Sequence, residues 1–318
     1  METNISLISS SHSKELKLVE ALLEDFKNGH KTSLAIVGQK GIGKTALLKL
    51  ICNKFGDEFS FINIKANSIA NSYHFFKNIA KELDYYPLET KEWKAYSDSL
   101  FAYMEMSNKK YVLAIDDCHY LASSKSEVLS YIRNKYQELD NLFIILTLDE
   151  EHKRKLFAYD KAFFGQLKII ELRELSYEET EKVVKALVTN VNKETIDTIY
   201  YYSEGNPRFI EMLSLLALGN KSRDNLLHAF KKYFETAFNN ELSPQVRSIL
   251  TVMVQNENVN VAEITKLLYS DSGVISTQLK RLNAKGLIIK DEKTNRYRVR
   301  NYFRLLLDNK TYFKESHF

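Results

Sequence analysis

The sequence predicts a parallel α/β nucleotide-binding core, followed by a helical segment and a C-terminal winged helix-turn-helix. Three observations lead there. The stretch Gly38–Thr45, GQKGIGKT, satisfies the phosphate-loop pattern at every fixed position. Apolar runs of strand length recur at spacings that leave room for crossover helices. The last quarter of the chain carries three helical segments, a strand-turn-strand pair and an excess of basic residues.

The phosphate loop comes first because the rest is built around it. Residues 33–37 (SLAIV) read as a buried strand and residues 46–52 (ALLKLIC) as a helix, the context the motif needs. Gly38, Gly41 and Gly43 let the backbone approach a polyphosphate, so that N–H groups converge on it at a helix start. With Ile42 and Ala46 they complete the cradle for ATP. Lys44 supplies an ammonium to the β- and γ-phosphates, and the Thr45 hydroxyl is placed to ligate Mg2+.

Composition sets bounds. The 318 residues suffice for about two domains. No apolar stretch is long enough to span a bilayer and the N-terminus lacks signal-peptide character, so a cytoplasmic protein with no membrane partner is expected. Cys52 and Cys118, the only cysteines, suggest neither a disulfide framework nor a zinc site. From Pro244 onward 13 Lys and Arg face 7 Asp and Glu, a balance of +6, against −2 for the rest.

Residues 13–28 form a leading helix with Ser13 as N-cap and Gly29 as its stop. After the loop helix come a strand over 59–65, helices over 73–83 and 92–106, and a buried strand over 111–115. That strand runs into Asp116 and Asp117, the apolar-to-acid arrangement of a Walker B motif. Asp116 is placed to hold Mg2+ through water, and Asp117 to polarise the attacking water. His119 reads first as a structural histidine and second as a phosphate or water contact. A helix over 126–139 leads to a strand over 141–148, where Thr147 is either a ligand-facing hydroxyl or a solvated one. The charged run 150–161 reads as a solvated helix face, with Arg154 its candidate arginine finger toward a neighbouring subunit. A last strand covers 167–172. Ser176–Glu179 matches a capping box, and 177–190 and 193–203 are helical by period. Gly205 and Asn206 stop a helix and Pro207 suits the next first turn, with Arg208 beside it.

GQKGIGKT, YVLAIDDCHYL, LFIILT, LKIIELREL with SYEE, and EGNPRFIEML, in that order, resemble the successive signatures of the AAA+ ATPases. Within them the chain is similar to the archaeal-type ATPases of the signal-transduction (STAND) branch and, more broadly, to origin-recognition initiators and transposition helper ATPases. The resemblance implies an AAA+ core over residues 1–174, a small helical lid over 175–242, Thr147 as sensor 1 and Arg208 as the lid's sensor 2 arginine on the γ-phosphate. It also implies an ATPase that oligomerises with ATP bound. Asp117 is one methylene shorter than the glutamate of fast members, which implies slow turnover.

Residues 243–318 form the third domain. Ser243 and Pro244 start a helix to about Asn256; helices over 261–268 and 271–285 follow, then strands over 287–290 and 296–300 around DEKTN, and a short closing helix over 302–307. This is a winged helix-turn-helix pattern. With Ile275, Leu279 and Leu282 buried, Ser276, Thr277, Lys280 and Arg281 face out toward double-stranded DNA, with Lys293, Arg296 and Arg298 of the wing on the backbone. The rival reading is a protein-binding or intramolecular packing module, which would make the chain a signalling or defence switch.

Overall fold

The computed structural model describes residues 12–88, 90, 92–124, 126–158, 161, 163, 165–219, 222–238 and 242–307. Two compact units emerge: residues up to Gly38 with Gly43–Arg173, and Gln39–Ile42 with the chain from Glu174 onward.

The first unit is a five-stranded sheet in the order β2-β3-β4-β1-β5, with α-helical crossovers. Its elements are α1 (Ser13–Lys27), β1 (Leu34–Gly38), α2 (Lys44–Phe55), β2 (Ser60–Lys65), α3 (Ser72–Leu83), α4 (Trp93–Met106), β3 (Tyr111–Asp116), α5 (His119–Ser124), α6 (Ser126–Glu138), β4 (Leu142–Asp149), α7 (Lys153–Phe157) and β5 (Lys168–Glu171). All pairings are parallel. Every residue of β1 and β3 is buried, as expected of parallel strands covered on both faces. Each strand lies within a residue of the span its apolar run predicts.

The core gathers Phe75, Phe76, Leu100 and Phe101 of the crossover helices against Ile62, Leu113 and Ile144 of the sheet. Trp93 stacks on Phe76 at 5.3 Å between centroids, covering that ring where the helices meet. One expectation is corrected at the start: His12, not Ser13, occupies the N-cap of α1, and it makes no side-chain capping bond. The helix begins one residue early because Leu16 N donates to the His12 carbonyl, which brings Ser13 inside the first turn.

The second unit contains α8 (Tyr177–Leu187), α9 (Lys193–Ser203), α10 (Pro207–Gly219), α11 (Arg223–Phe238), α12 (Pro244–Gln255), α13 (Val261–Leu268), α14 (Ser272–Ala284), the antiparallel pair β6 (Ile288–Asp291) and β7 (Arg296–Val299), and α15 (Asn301–Leu307). The expected capping box opens α8: Glu179 N donates to Ser176 Oγ at 3.3 Å and Ser176 N to Glu179 Oε2 at 2.8 Å. A second box, Asn260 with Glu263, opens α13 and was not foreseen. One hydrophobic cluster runs from Leu175 to Leu305, so segments 175–242 and 243–307 share a core. Phe303 of the closing helix is fully buried in it.

Gly205 is required by the turn before α10. Its φ is +76°, and a Cβ there would meet the Leu175 carbonyl oxygen at 2.1 Å. Arg300 is buried in this unit; it donates to Glu174 Oε1 at 2.7 Å and to Gln39 Oε1 at 3.0 Å. Among the described residues, no helix is long and apolar enough to cross a membrane.

Candidate nucleotide-binding site

The site residues of the first unit converge at the carboxyl ends of three neighbouring strands. Because β4 lies between β1 and β3, residues more than a hundred positions apart in sequence meet across adjacent strand ends. Gly43 caps α2 in the left-handed region at φ +103°, a conformation that L side chains adopt at a cost. It turns the chain so that Lys44, the first residue of α2, points back over the loop. Lys44 is 7% exposed; its Nζ donates to the Gly38 carbonyl at 2.9 Å and to Asp149 Oδ1 at 2.7 Å.

One turn of bonding away, Thr45 Oγ1 donates to Asp116 Oδ2 at 2.9 Å, so the two residues assigned to the metal are joined. Asp116 is buried at the end of β3 and also accepts from Thr147 Oγ1 at 2.5 Å. The Thr147 hydroxyl in turn accepts from Asp117 N at 2.9 Å, and its carbonyl accepts from Cys118 N at 2.9 Å. Thr147 thus belongs to the fully buried interior, and it pins the turn that leaves β3. The solvated reading of this residue is corrected: β4 is a central strand, flanked on both sides.

Asp117 has φ +55°, in the left-handed region that non-glycine residues rarely occupy. Its carboxylate lies near Asn67, whose Nδ2 donates to Oδ2 at 3.5 Å. Asn67 was not foreseen; it sits in the 3-10 turn after β2, next to β3 in the sheet, and only strand order reveals it. Asp149 was missed for the same reason. Its Cα partner is Gly38, which brings these acceptors of Lys44 to the same level of the sheet.

His119 opens α5 and stacks on His152 at 4.4 Å between ring centroids. Burial pushes its imidazole down to about 4, against the carboxylate of Asp149, which acts the other way. Neither ring's Nδ1 has a hydrogen-bond partner among the described residues. Cys118 is buried and its thiol is pushed up, chiefly by burial; Cys52 is half-buried and raised to about 11 by the same cause. Arg154 is exposed on α7, the solvated helix face its charged surroundings suggest.

Within the second unit, Arg208 follows Pro207 at the start of α10, and its N–H donates to Asn206 Oδ1 at 3.1 Å. A Cβ built on Gly41 would stand 3.3 Å from the Arg208 side chain, so this arginine lies against the tip of the phosphate loop, in the same unit as Ile42. Of the residues assigned to DNA, Lys280, Arg281 and Lys293 are exposed, Ser276 is half-buried, and Thr277 is exposed with its hydroxyl on the Gly273 carbonyl. Arg296 pairs with Glu263 at 2.8 Å and Arg298 with Glu204 at 2.5 Å.

The oxygen set suits magnesium with a nucleotide. Mg2+ takes one or two protein oxygens and fills its octahedron from phosphates and water, and Thr45 with Asp116 supplies that number. Among the described residues there is no cluster of three His, Cys, Asp or Glu side chains that would hold a metal by itself.

Residues 27–156 match the family described as AAA domain. No curated protein matches the chain in sequence. Among solved structures it is similar to the Walker-type ATPase of Pyrococcus abyssi, at 17% identity and TM-score 0.69, with 93% of this chain and 95% of that one covered. It is also similar to the ORC2 protein of Aeropyrum pernix, solved with ADPNP and ADP, at 16% identity and TM-score 0.65 over 92% and 91% of the two chains. The ORC1 protein of the same organism, solved with DNA, aligns at 13% identity and TM-score 0.56 over 91% and 89%. Residues 27–156 therefore resemble an AAA domain, and over nine-tenths of its length the chain has the fold of this Walker-type ATPase and of the ORC proteins.

Proposed function

We propose that the protein is an ATP-binding, slowly hydrolysing AAA+ switch whose nucleotide state controls a DNA-binding winged helix. The observation that carries the ATPase half is the bonded set Thr45, Asp116 and Thr147, with Lys44 held on the Gly38 carbonyl, at the ends of β1, β4 and β3. Lys44 neutralises phosphate charge, and Thr45 with Asp116 holds magnesium, which supplies charge stabilisation to the transferring phosphoryl group when bound. Asp117 orients the attacking water, with Asn67 fixing its carboxylate. Arg208 reads the terminal phosphate, supported by its place against Gly41. An arginine finger from a second copy, with Arg154 the candidate, completes the site in an ATP-dependent homo-oligomer. The expected setting is the cytoplasm.

The DNA half rests on α12, α13, α14 and the β6-β7 ribbon, an order of elements that suits a winged helix-turn-helix. The similar ORC1 protein was solved with DNA, which supports duplex DNA as the partner. Lys280, Arg281 and Lys293 are the exposed cations to test. One observation favours a second reading. Arg296 and Arg298 are engaged by Glu263 and Glu204, which withdraws two of the seven assigned DNA residues. A signalling or defence switch with a protein-binding winged helix fits that pairing.

Two measurements decide. Asp117→Asn is expected to keep ATP binding and abolish turnover, whereas unchanged turnover removes Asp117 from the hydrolytic role. Duplex DNA affinity measured at low and moderate salt is expected to fall steeply, and Lys280→Ala to lower the salt slope by about 1. Absence of binding at low salt selects the protein-partner reading.

A further inference from the structure

The carboxylate of Asp149 is not where its backbone position would send it. Asp149 is the N-cap of the 3-10 turn Glu150–His152, yet its side chain makes no capping bond. Instead it lies 2.7 Å from the Lys44 ammonium, with the Lys44 side chain 7% and the Asp149 side chain 21% exposed. An aspartate at such a position ordinarily accepts from the next turn's N–H groups. Here that bond is given up for the ammonium of the phosphate loop's Lys-Thr step.

We propose that Asp149 is a positioning residue that competes with the nucleotide for Lys44 and so sets the affinity of the site. The inference rests on the nucleotide-binding reading above. An ammonium has three donor directions, and among its partners here are the Gly38 carbonyl and Asp149 Oδ1. A phosphate reaching Lys44 meets a carboxylate already bonded to it, and the two anions repel at that range in a poorly solvated place. Binding therefore requires Lys44 to turn from Asp149 to phosphate. The apparent dissociation constant scales inversely with the fraction of molecules in which Lys44 is released. The register partnership of Gly38 with Asp149 makes the competition geometric, since the sheet holds the carboxylate level with the loop. The effect is specific to phosphate and leaves the nucleoside end of the ligand untouched.

The test is calorimetric titration of Mg-ATP and, separately, of adenosine into the full chain and three variants. Asp149→Asn and Asp149→Ala are expected to bind Mg-ATP about tenfold more tightly, the gain that follows if one molecule in ten has Lys44 released. Asp149→Glu restores the competing carboxylate and is expected to stay within about twofold of the parent. Adenosine affinity is expected to be the same in all four. Unchanged or weaker Mg-ATP binding by both neutral variants, beside a parent that binds, overturns the proposal while leaving the nucleotide site intact. A parallel change in adenosine affinity also overturns it, because it marks a general distortion. Failure of the parent and every variant to bind Mg-ATP overturns the nucleotide reading and this inference with it.

Discussion

Thr147 does more than its place on a strand suggests. Its single hydroxyl donates to Asp116 and accepts from Asp117 N, so one side chain sets the carboxylate proposed for the metal and the following turn together. Thr147→Val keeps the shape and removes both bonds, leaving a buried N–H and a carboxylate short of a donor. The expected cost is about 1–3 kcal/mol in chemical denaturation, with turnover falling more than ATP affinity in steady-state kinetics. His119 gives a pH signature. Its folded value of about 4 lies below the ordinary 6.5, so the unfolded chain takes up the proton first as pH falls. The stability that the neutral imidazole contributes is complete above 6.5 and lost toward 4, on the order of 2 kcal/mol after allowance for solvent screening. Urea melts at pH 7 and pH 4.5 should show this loss, and His119→Gln should flatten the difference. At this scale Lys44, Thr45 and Asp116 were legible because the phosphate loop fixes their spacing and an apolar run points to its acid. Asp149 and Asn67 were not, because their roles arise from which strands are neighbours, and no local pattern records that.

Strands and capped helices were read nearly to the residue because their signals are local. Buried runs such as LAIVG and YVLAID have one way to lie in a parallel sheet, and Ser176 to Glu179 spells its own helix start. Ser176→Ala removes the acceptor for Glu179 N and is expected to cost about 1 kcal/mol, lowering the melting temperature by about 2–4 °C in calorimetry. The helix α11 was missed although Leu226, Leu227 and Phe230 are buried at helical spacing. No glycine or proline marks either of its ends closely, and its apolar face is interleaved with Lys231 and Lys232. The wing shows the opposite failure. The spacing placed Arg296 and Arg298 on β7 correctly, but periodicity does not say that Glu263 and Glu204 will claim them.

For the whole molecule, ligand linkage is the broadest test. At a hundredfold excess of Mg-ATP over its dissociation constant, a site present only in the folded chain adds about 2.7 kcal/mol to stability. Thermal unfolding should shift upward by the corresponding amount, and Lys44→Ala should abolish the shift. The two-unit division has its own reading of the sequence. The chain divides after Arg173, between the last strand and the capping box, whereas the shared core of 175–242 and 243–307 has no local signal, since separate amphipathic helices do not announce which of them pack together. The strand order has a further consequence for how the chain is made. The strand bearing Thr147 and Asp149 is the fourth to leave the ribosome, yet it lies between the first and the third. Until it arrives, the strand before the phosphate loop has no neighbour on either side, since its other partner is the fifth. The nascent chain must carry its most glycine-rich segment unsupported for more than a hundred residues of synthesis, so the proposed nucleotide site exists only in a chain with its middle strand inserted, a late reward for completing the sheet.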